Sequence, residues 1–561
     1  MRLNSVHSIF SLPLFSFVAL LVCATHPANA YEHECGTIKL FESLINKQKQ
    51  SPYYAQTILI DKESDSVHNE KCAVEDFYDS VYTIETQHFQ VLYTLIGPHA
   101  TTKEFADSTA AIFEQAWNFY ANKYKMRMPK GPSTSYHYRK KIKDGLYPIE
   151  IIEMNRVRNN VFNGSGCDEN FAITYPLDQE GTSQIFMEND FKITCSSRSN
   201  QDTIIVHGDT CTYPTPSYSM RNITHNFSYA DEWVKGLRVT TFHEFYHAIQ
   251  LRYLNMFVNR SFWFEASATG FEEITNPDVD DYFRYIPDFF SRTGQSLSDN
   301  FKNYGASTFL LYLHNNVSKD LDKSIWESYA NNPNKNFEYQ LTNALKPLKL
   351  DADSIFHDYA IRLSFSGDRS KDTQKKNWIY SDQPQWSNAQ FLFSENIQPS
   401  LKSLAFEFYR VPQGYTPATE LSDFIGKATV ILYHDGKASI HPIQNAKTLD
   451  SLASTLAMSD SSTWIFSRLG ESESIPITNN NAEPHAFPVP WREGSLCFAP
   501  LPHDKKVFEI RNRRGDLVVQ QKYDGTSFCM QESQVKSMMA PGIYRFRVGN
   551  KGKTTSFIII Y

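Results

Sequence analysis

Thr241-Phe-His-Glu-Phe-Tyr-His-Ala-Ile-Gln250 decides how the rest of this chain is read. His243 and His247 are four residues apart, so on a helix both imidazoles leave one face, a turn apart. That spacing suits two nitrogens on a single Zn²⁺, with Glu244 beside them to act as general base on a water activated there. The flanking Leu237, Val239, Phe242 and Ile249 predict a buried helix. Two buried histidines and a glutamate need partners, which argues against the plain alternative of two solvated surface histidines.

Working outward, Phe262-Trp-Phe-Glu-Ala-Ser-Ala-Thr-Gly-Phe-Glu-Glu273 predicts a second helix. Its Glu265 follows His247 at a distance that lets a returning helix bring a carboxylate to the metal. Two histidines, one glutamate and water make an open, catalytic set, whereas structural zinc sites close with four protein ligands. Glu272 and Glu273 are rival third ligands. Glu272 lies seven residues beyond Glu265, on the same helix face, and could instead support a ligand from behind. A metzincin pattern fails, because Gln250 and Tyr253 stand where its glycine and third histidine belong.

Periodicity supplies the surroundings. His88 to Tyr93, Pro148 to Met154 and Ser183 to Asp190 read as strands, and Phe105 to Tyr124 as an amphipathic helix. Tyr304 to Asn316, Leu321 to Tyr329 and Ala352 to Leu363 continue the helical run. Beyond about Asp368 the pattern turns to short strands: SLAFEFYRV, ATVILYH, KKVFEIRN, GDLVVQQKY and GIYRFRV. The expected fold class is therefore α+β: a zincin-like core at 84–367, a β-rich module at 368–478, a Pro/Asn-rich linker at 479–490, and a C-terminal β-sandwich at 491–561. Both β-modules are expected to be sandwich-like.

The N-terminus reads as an address. Arg2, the apolar run Ile9 to Val22 and Ala28-Asn29-Ala30 form a secretory signal peptide at 1–30, and 31–83 form an N-terminal extension. No later stretch is long and apolar enough to span a membrane. Export permits disulfides. Removing Cys23 leaves seven of eight cysteines, with Cys35–Cys72, Cys497–Cys529 and one pair among Cys167, Cys195 and Cys211 as candidate bridges.

Composition excludes more than it proposes. The 561 residues carry 55 Lys+Arg against 62 Asp+Glu, a net charge of −7, which argues against a nucleic-acid partner held by bulk positive charge. Aromatic residues make up 14%, a bias toward sheet and large buried side chains.

Several separated blocks resemble gluzincin-type, peptidase-MA-like metalloproteases of exported bacterial proteins. They are HFQVLYTLIGPHA, AWNFYANKYKM, MEND, LRVTTFHEFYHAIQ, WFEASATGFEE followed by NPDVDDY, and YGASTFLLYL, running from about Glu85 to Leu363. The resemblance implies Zn²⁺ on His243, His247 and Glu265, a peptide or protein substrate, and Ser183 to Asp190 as the edge strand along which the peptide pairs. The C-terminal GDLVV, APGIYRFRV and FIIIY are similar to the sorting domain of type IX secretion cargo, implying an outer-membrane secretion partner; an ordinary accessory sandwich is the alternative.

The expected activity is thus a secreted or surface zinc metalloendopeptidase. Catalysis would rest on Glu244, with Tyr304, on the next helix, as the oxyanion donor. A surface binding protein with a non-catalytic zincin core and a zinc hydrolase of non-peptide amides are the competing readings.

Overall fold

The computed structural model describes residues 80–559, apart from 98, 155–166, 169–170, 179, 192–193, 207–208, 218–228, 230–231, 255–260, 300–303, 394–396, 398, 413–424, 471–484, 488–495, 500, 502–506, 523–527, 531 and 549–553. The signal peptide, nearly all of the N-terminal extension and the Cys35–Cys72 pair lie outside the described residues. The fold is α+β.

The first sheet forms from β1 (Tyr82–Glu85), β2 (Phe89–Tyr93), β3 (Tyr147–Ile152), β5 (Ala172–Pro176) and β6 (Ser183–Glu188), with α1 (Lys103–Trp117) inserted after β2 and the two-residue β4 (Cys167–Asp168) before β5. Strand order is β1-β2-β3-β6-β5. β2, β3 and β6 are parallel, with antiparallel β1 and β5 at the two edges. The parallel strands are buried on both faces, with Gln90, Glu150, Gln184 and Glu188 buried among their apolar residues. Alternation still assigns the faces: Ile149, Ile151, Ile185 and Met187 enter the main core, while Ile152 and Phe186 enter a smaller cluster with Tyr138 and Ile142.

β7 (Thr194–Val206) and β8 (Asp209–Ser217) form a hairpin beside β4. Its register sets Cys195 opposite Cys167 and Cys211 opposite Ile204. Of the three cysteines, Cys167 and Cys195 are therefore the facing pair.

Next come α2 (Trp233–Gln250) and α3 (Ser261–Thr275). From Thr241 to Gln250 every residue of α2 is buried, because α2 is wedged between the first sheet, α1 and α3. Such a helix has no polar face to spare, so each polar side chain on it must find an internal partner. The helical run continues through α4 (Ile286–Ser291), α5 (Ser307–Tyr312), α6 (Leu321–Asn331), α7 (Phe337–Leu345) and α8 (Ala352–Leu363). Buried Asp322 on α6 accepts hydrogen bonds from the Tyr246 hydroxyl and the Trp263 indole, tying α2 and α3 to one carboxylate. Burial pushes that carboxyl up to about 7.

The second sheet contains β9 (Leu392–Phe393), β10 (Ala405–Pro412), β11 (Lys427–His434), β12 (Lys437–Ile443) and β13 (Ser461–Arg468), ordered β12-β11-β13-β10-β9. It is a single sheet with helices over both faces rather than a pair of stacked sheets. Phe406, Phe408, Ile431 and Ile465 join the main core beneath α8, whereas Val430, Trp464 and Phe466 pack toward α9 (Ala446–Met458). The helical region and this sheet thus share one apolar cluster.

At the C-terminus, β14 (His485–Phe487), β15 (Leu496–Ala499) and β18 (Phe528–Met530) form one sheet, and β16 (Val507–Asn512), β17 (Leu517–Lys522), β19 (Gly542–Val548) and β20 (Thr554–Ile559) another. Short α10 (Glu532–Met538) precedes β19. The two sheets enclose their own core of Phe498, Phe508, Phe546 and Phe557, a small sandwich. β14 lies inside the stretch read from sequence as linker; its pairing with β15 draws it into the sandwich. Cys497 stands opposite Cys529 in the β15–β18 register.

Candidate metal centre

α2 delivers His243 and His247, and α3 crosses it to deliver Glu265. Donor atoms of all three lie within 4.8 Å of one another, and all three residues are buried. The two Nε2 atoms are 3.0 Å apart; Glu265 Oε2 is 3.2 Å from the first and Oε1 is 3.6 Å from the second.

The far side of each ring shows what belongs between them. His247 Nδ1 lies 2.7 Å from Gln250 Oε1, an atom that only accepts, so Nδ1 carries the proton. His243 Nδ1 faces the Glu272 carboxylate, which fixes the same tautomer. Both Nε2 lone pairs then point at each other and at an anionic carboxylate. Glu265 is fully buried, and beyond the two rings neither of its oxygens has a hydrogen-bond partner. Either a proton shared between the rings or a bound metal cation reconciles two lone pairs and a carboxylate in so small a volume. Two imidazoles and one carboxylate are the donor set of an open zinc site, so these residues fit Zn²⁺.

Burial alone would raise the Glu265 carboxyl, but His247 and His243 beside it, when protonated, hold it down at about 2. Burial raises Glu272 above the ordinary carboxylate range, with the His243 ring pulling the other way.

Glu244 lies beside the two histidines on α2, and its Oε2 accepts a 2.7 Å hydrogen bond from Thr174 Oγ1 on edge strand β5. Tyr304 sits in the turn before α5, not on the helix itself. Its ring is nearly parallel to His243, centroids 6.4 Å apart, and Tyr285 stacks on its other side at 4.6 Å. The structure therefore brings His243, His247 and Glu265 together, stacks Tyr304 near His243, and turns the Glu244 carboxylate to Thr174. Glu272 takes the place behind His243, and Glu273 points elsewhere.

The strand expectation is corrected. Ser183–Glu188 lies inside the sheet between β3 and β5, and the edge facing α2 belongs to Ala172–Pro176, which pairs antiparallel with it. The β5 sequence, AITYP, is too short and too uniformly buried for periodicity to mark it as an edge.

Several neighbours escaped sequence reading. Gln250 carries a usable signal: it lies three residues after His247, on the same face. Its amide also donates to the Phe264 carbonyl at 3.0 Å and to Ser267 Oγ at 2.9 Å, locking α2 to α3. Thr174 and Tyr285 come from separate elements, and no spacing rule points to them.

No protein-family profile matches the chain, and no curated protein matches it. Among solved structures the chain is similar, at 18% identity and a TM-score of 0.14, to PorZ, an essential bacterial surface component of the type-IX secretion system of Porphyromonas gingivalis. That match covers 18% of this chain and 14% of the other. An overlap of that size says nothing about function. Among the described residues, no helix is long and apolar enough to cross a membrane.

Proposed function

We infer that this protein is a zinc-dependent metalloendopeptidase whose ligands are His243, His247 and Glu265. The observation that carries the reading is the convergence of both Nε2 atoms on the buried Glu265 carboxylate, with Glu244 the residue next to His243 on the same helix. A bound zinc ion supplies Lewis acidity, lowering the pKa of water and polarising a carbonyl.

The chain's own residues divide the remaining work. Glu272 and Gln250 hold the imidazoles in the tautomer that leaves Nε2 free. Glu244 takes a proton from the attacking water and returns it to the leaving amine, while the Thr174 hydroxyl orients its carboxylate. Tyr304, held between His243 and Tyr285, is the proposed donor to the developing oxyanion. As an edge strand, β5 would align an extended peptide by strand addition. The signal peptide and the similarity of the C-terminal sandwich to a sorting domain, both read from sequence, favour export and a secretion-machinery partner.

A peptide-library digest tests the activity. Cleavage should stop with chelator, return with added zinc, and fall at least a thousandfold in Glu244→Gln while zinc content stays at one ion per chain. Undiminished cleavage by Glu244→Gln would overturn the mechanism. Zinc binding without cleavage of any peptide would favour the non-catalytic reading.

A further inference from the structure

We propose that Glu273, Asp280 and Asp382 form a calcium site, separate from the histidine centre, that joins the end of α3 to the segment leading into the second sheet. Donor oxygens of the three lie within 4.8 Å of one another. That is the span of two Ca–O bonds of about 2.4 Å. Glu273 is 2% exposed, and neither of its carboxylate oxygens makes a hydrogen bond of normal geometry, although the Tyr380 hydroxyl and the Asp382 carboxyl lie beside it. A buried carboxylate left in that state is costly unless a cation or a proton supplies what hydrogen bonds do not.

The nearby arginines are engaged elsewhere. Arg238 is engaged with Asp278, and Arg284 with Asp281. Among the described residues no Lys, Arg or His forms an ion pair with Glu273, Asp280 or Asp382. Burial first, then Asp382 and Asp280, push Glu273 up to about 8, with the Tyr380 hydroxyl pulling the other way. Oxygen-only donors select a hard divalent ion over zinc, and a site half open to water through Asp280 and Asp382 lets calcium complete its shell with solvent.

The site spans three parts of the chain. Glu273 is in the last turn of α3, Asp280 immediately precedes the 3₁₀ turn Asp281–Tyr285, and Asp382 precedes the turn Gln383–Gln385. Trp386 beyond that turn donates to the Tyr282 hydroxyl at 2.8 Å, so the same two segments already touch. An ion here would fix the end of the helix that carries Glu265 and Glu272. The proposal does not depend on peptidase activity.

The test uses the full mature chain, zinc-loaded, with calcium titrated against thermal unfolding and Tb³⁺ luminescence sensitised by nearby Tyr282, Tyr380 and Trp386. Calcium should raise the unfolding temperature by several degrees. Tb³⁺ should luminesce and be displaced by calcium, and Glu273→Gln and Asp382→Asn should each lose both signals. Asp382 is only half-buried, so Asp382→Asn decides the matter if Glu273→Gln does not fold. His243→Ala should keep the calcium response. Absence of any calcium shift in the wild type, a full shift in Asp382→Asn, or loss of the shift in His243→Ala would each overturn the proposal.

Discussion

Gln250 shows how much of the site is held from behind. Its side chain is fully buried and makes three hydrogen bonds, one of which sets the protonation of His247. Gln250→Leu keeps volume and helix propensity but removes all three. Zinc affinity should fall about 10–100-fold, measured by competition with a chromophoric chelator, while the far-ultraviolet circular dichroism stays native. Unchanged affinity would mean that Glu265 and helix packing alone orient the ring. At this scale the sequence was legible where one helix holds the answer: His243, Glu244 and His247 follow from the four-residue repeat. Glu265 and Glu272 could not be told apart by spacing, since both leave the same face of α3; their distances to the two rings separate ligand from support. Thr174 was invisible, because its partner lies seventy residues away.

Between elements, α3 must lie close against both α2 and α5. Gly270 allows the second approach: a Cβ there would meet Leu310 Cδ2 at 2.5 Å and its Cβ at 3.0 Å. Alanine gains about 1 kcal/mol of helix propensity at such a position, yet overpacking costs roughly 1–3 kcal/mol. Gly270→Ala should therefore lower stability by about 1 kcal/mol in urea unfolding. That cost should shrink in a Leu310→Ala background, and an undiminished cost would show that the contact is not responsible. The strands and helices themselves were largely readable: Ala352–Leu363 coincides with its predicted span, β2 and β6 lie within theirs, and β3 starts one residue before its own. The order of strands was not, which is why Ser183–Glu188 was taken for an edge. An apolar run reports burial, not which neighbour provides it.

Across the whole molecule, His357 reports on the seam between α8 and the second sheet. Its ring lies 2.7 Å from Ser467 Oγ and 2.8 Å from Thr429 Oγ1, and burial, helped by Lys427 and opposed by Asp358, pushes it down to about 4. Its ordinary value is 6.5, so the unfolded chain takes up a proton that the folded one refuses. The stabilising contribution is whole above pH 6.5 and drains away as pH falls toward 4, about 3 kcal/mol in all. His357→Gln should flatten that part of the stability curve in denaturant titrations at pH 7, 5.5 and 4; parallel curves would refute the assignment. The same seam explains why the module boundary near residue 368 is less sharp in space than in sequence: Phe406 and Ile465 complete a core begun by Phe89. The sequence by itself determined the element types, the α+β class and the three residues one helix turn could bring together, because periodicity and short spacing are local properties. Only the tertiary structure decided which glutamate meets the imidazoles, which strand forms the edge and which cysteines face each other. Those are contacts between segments distant along the chain, settled by how buried surfaces pack and by the need to pair every buried charge.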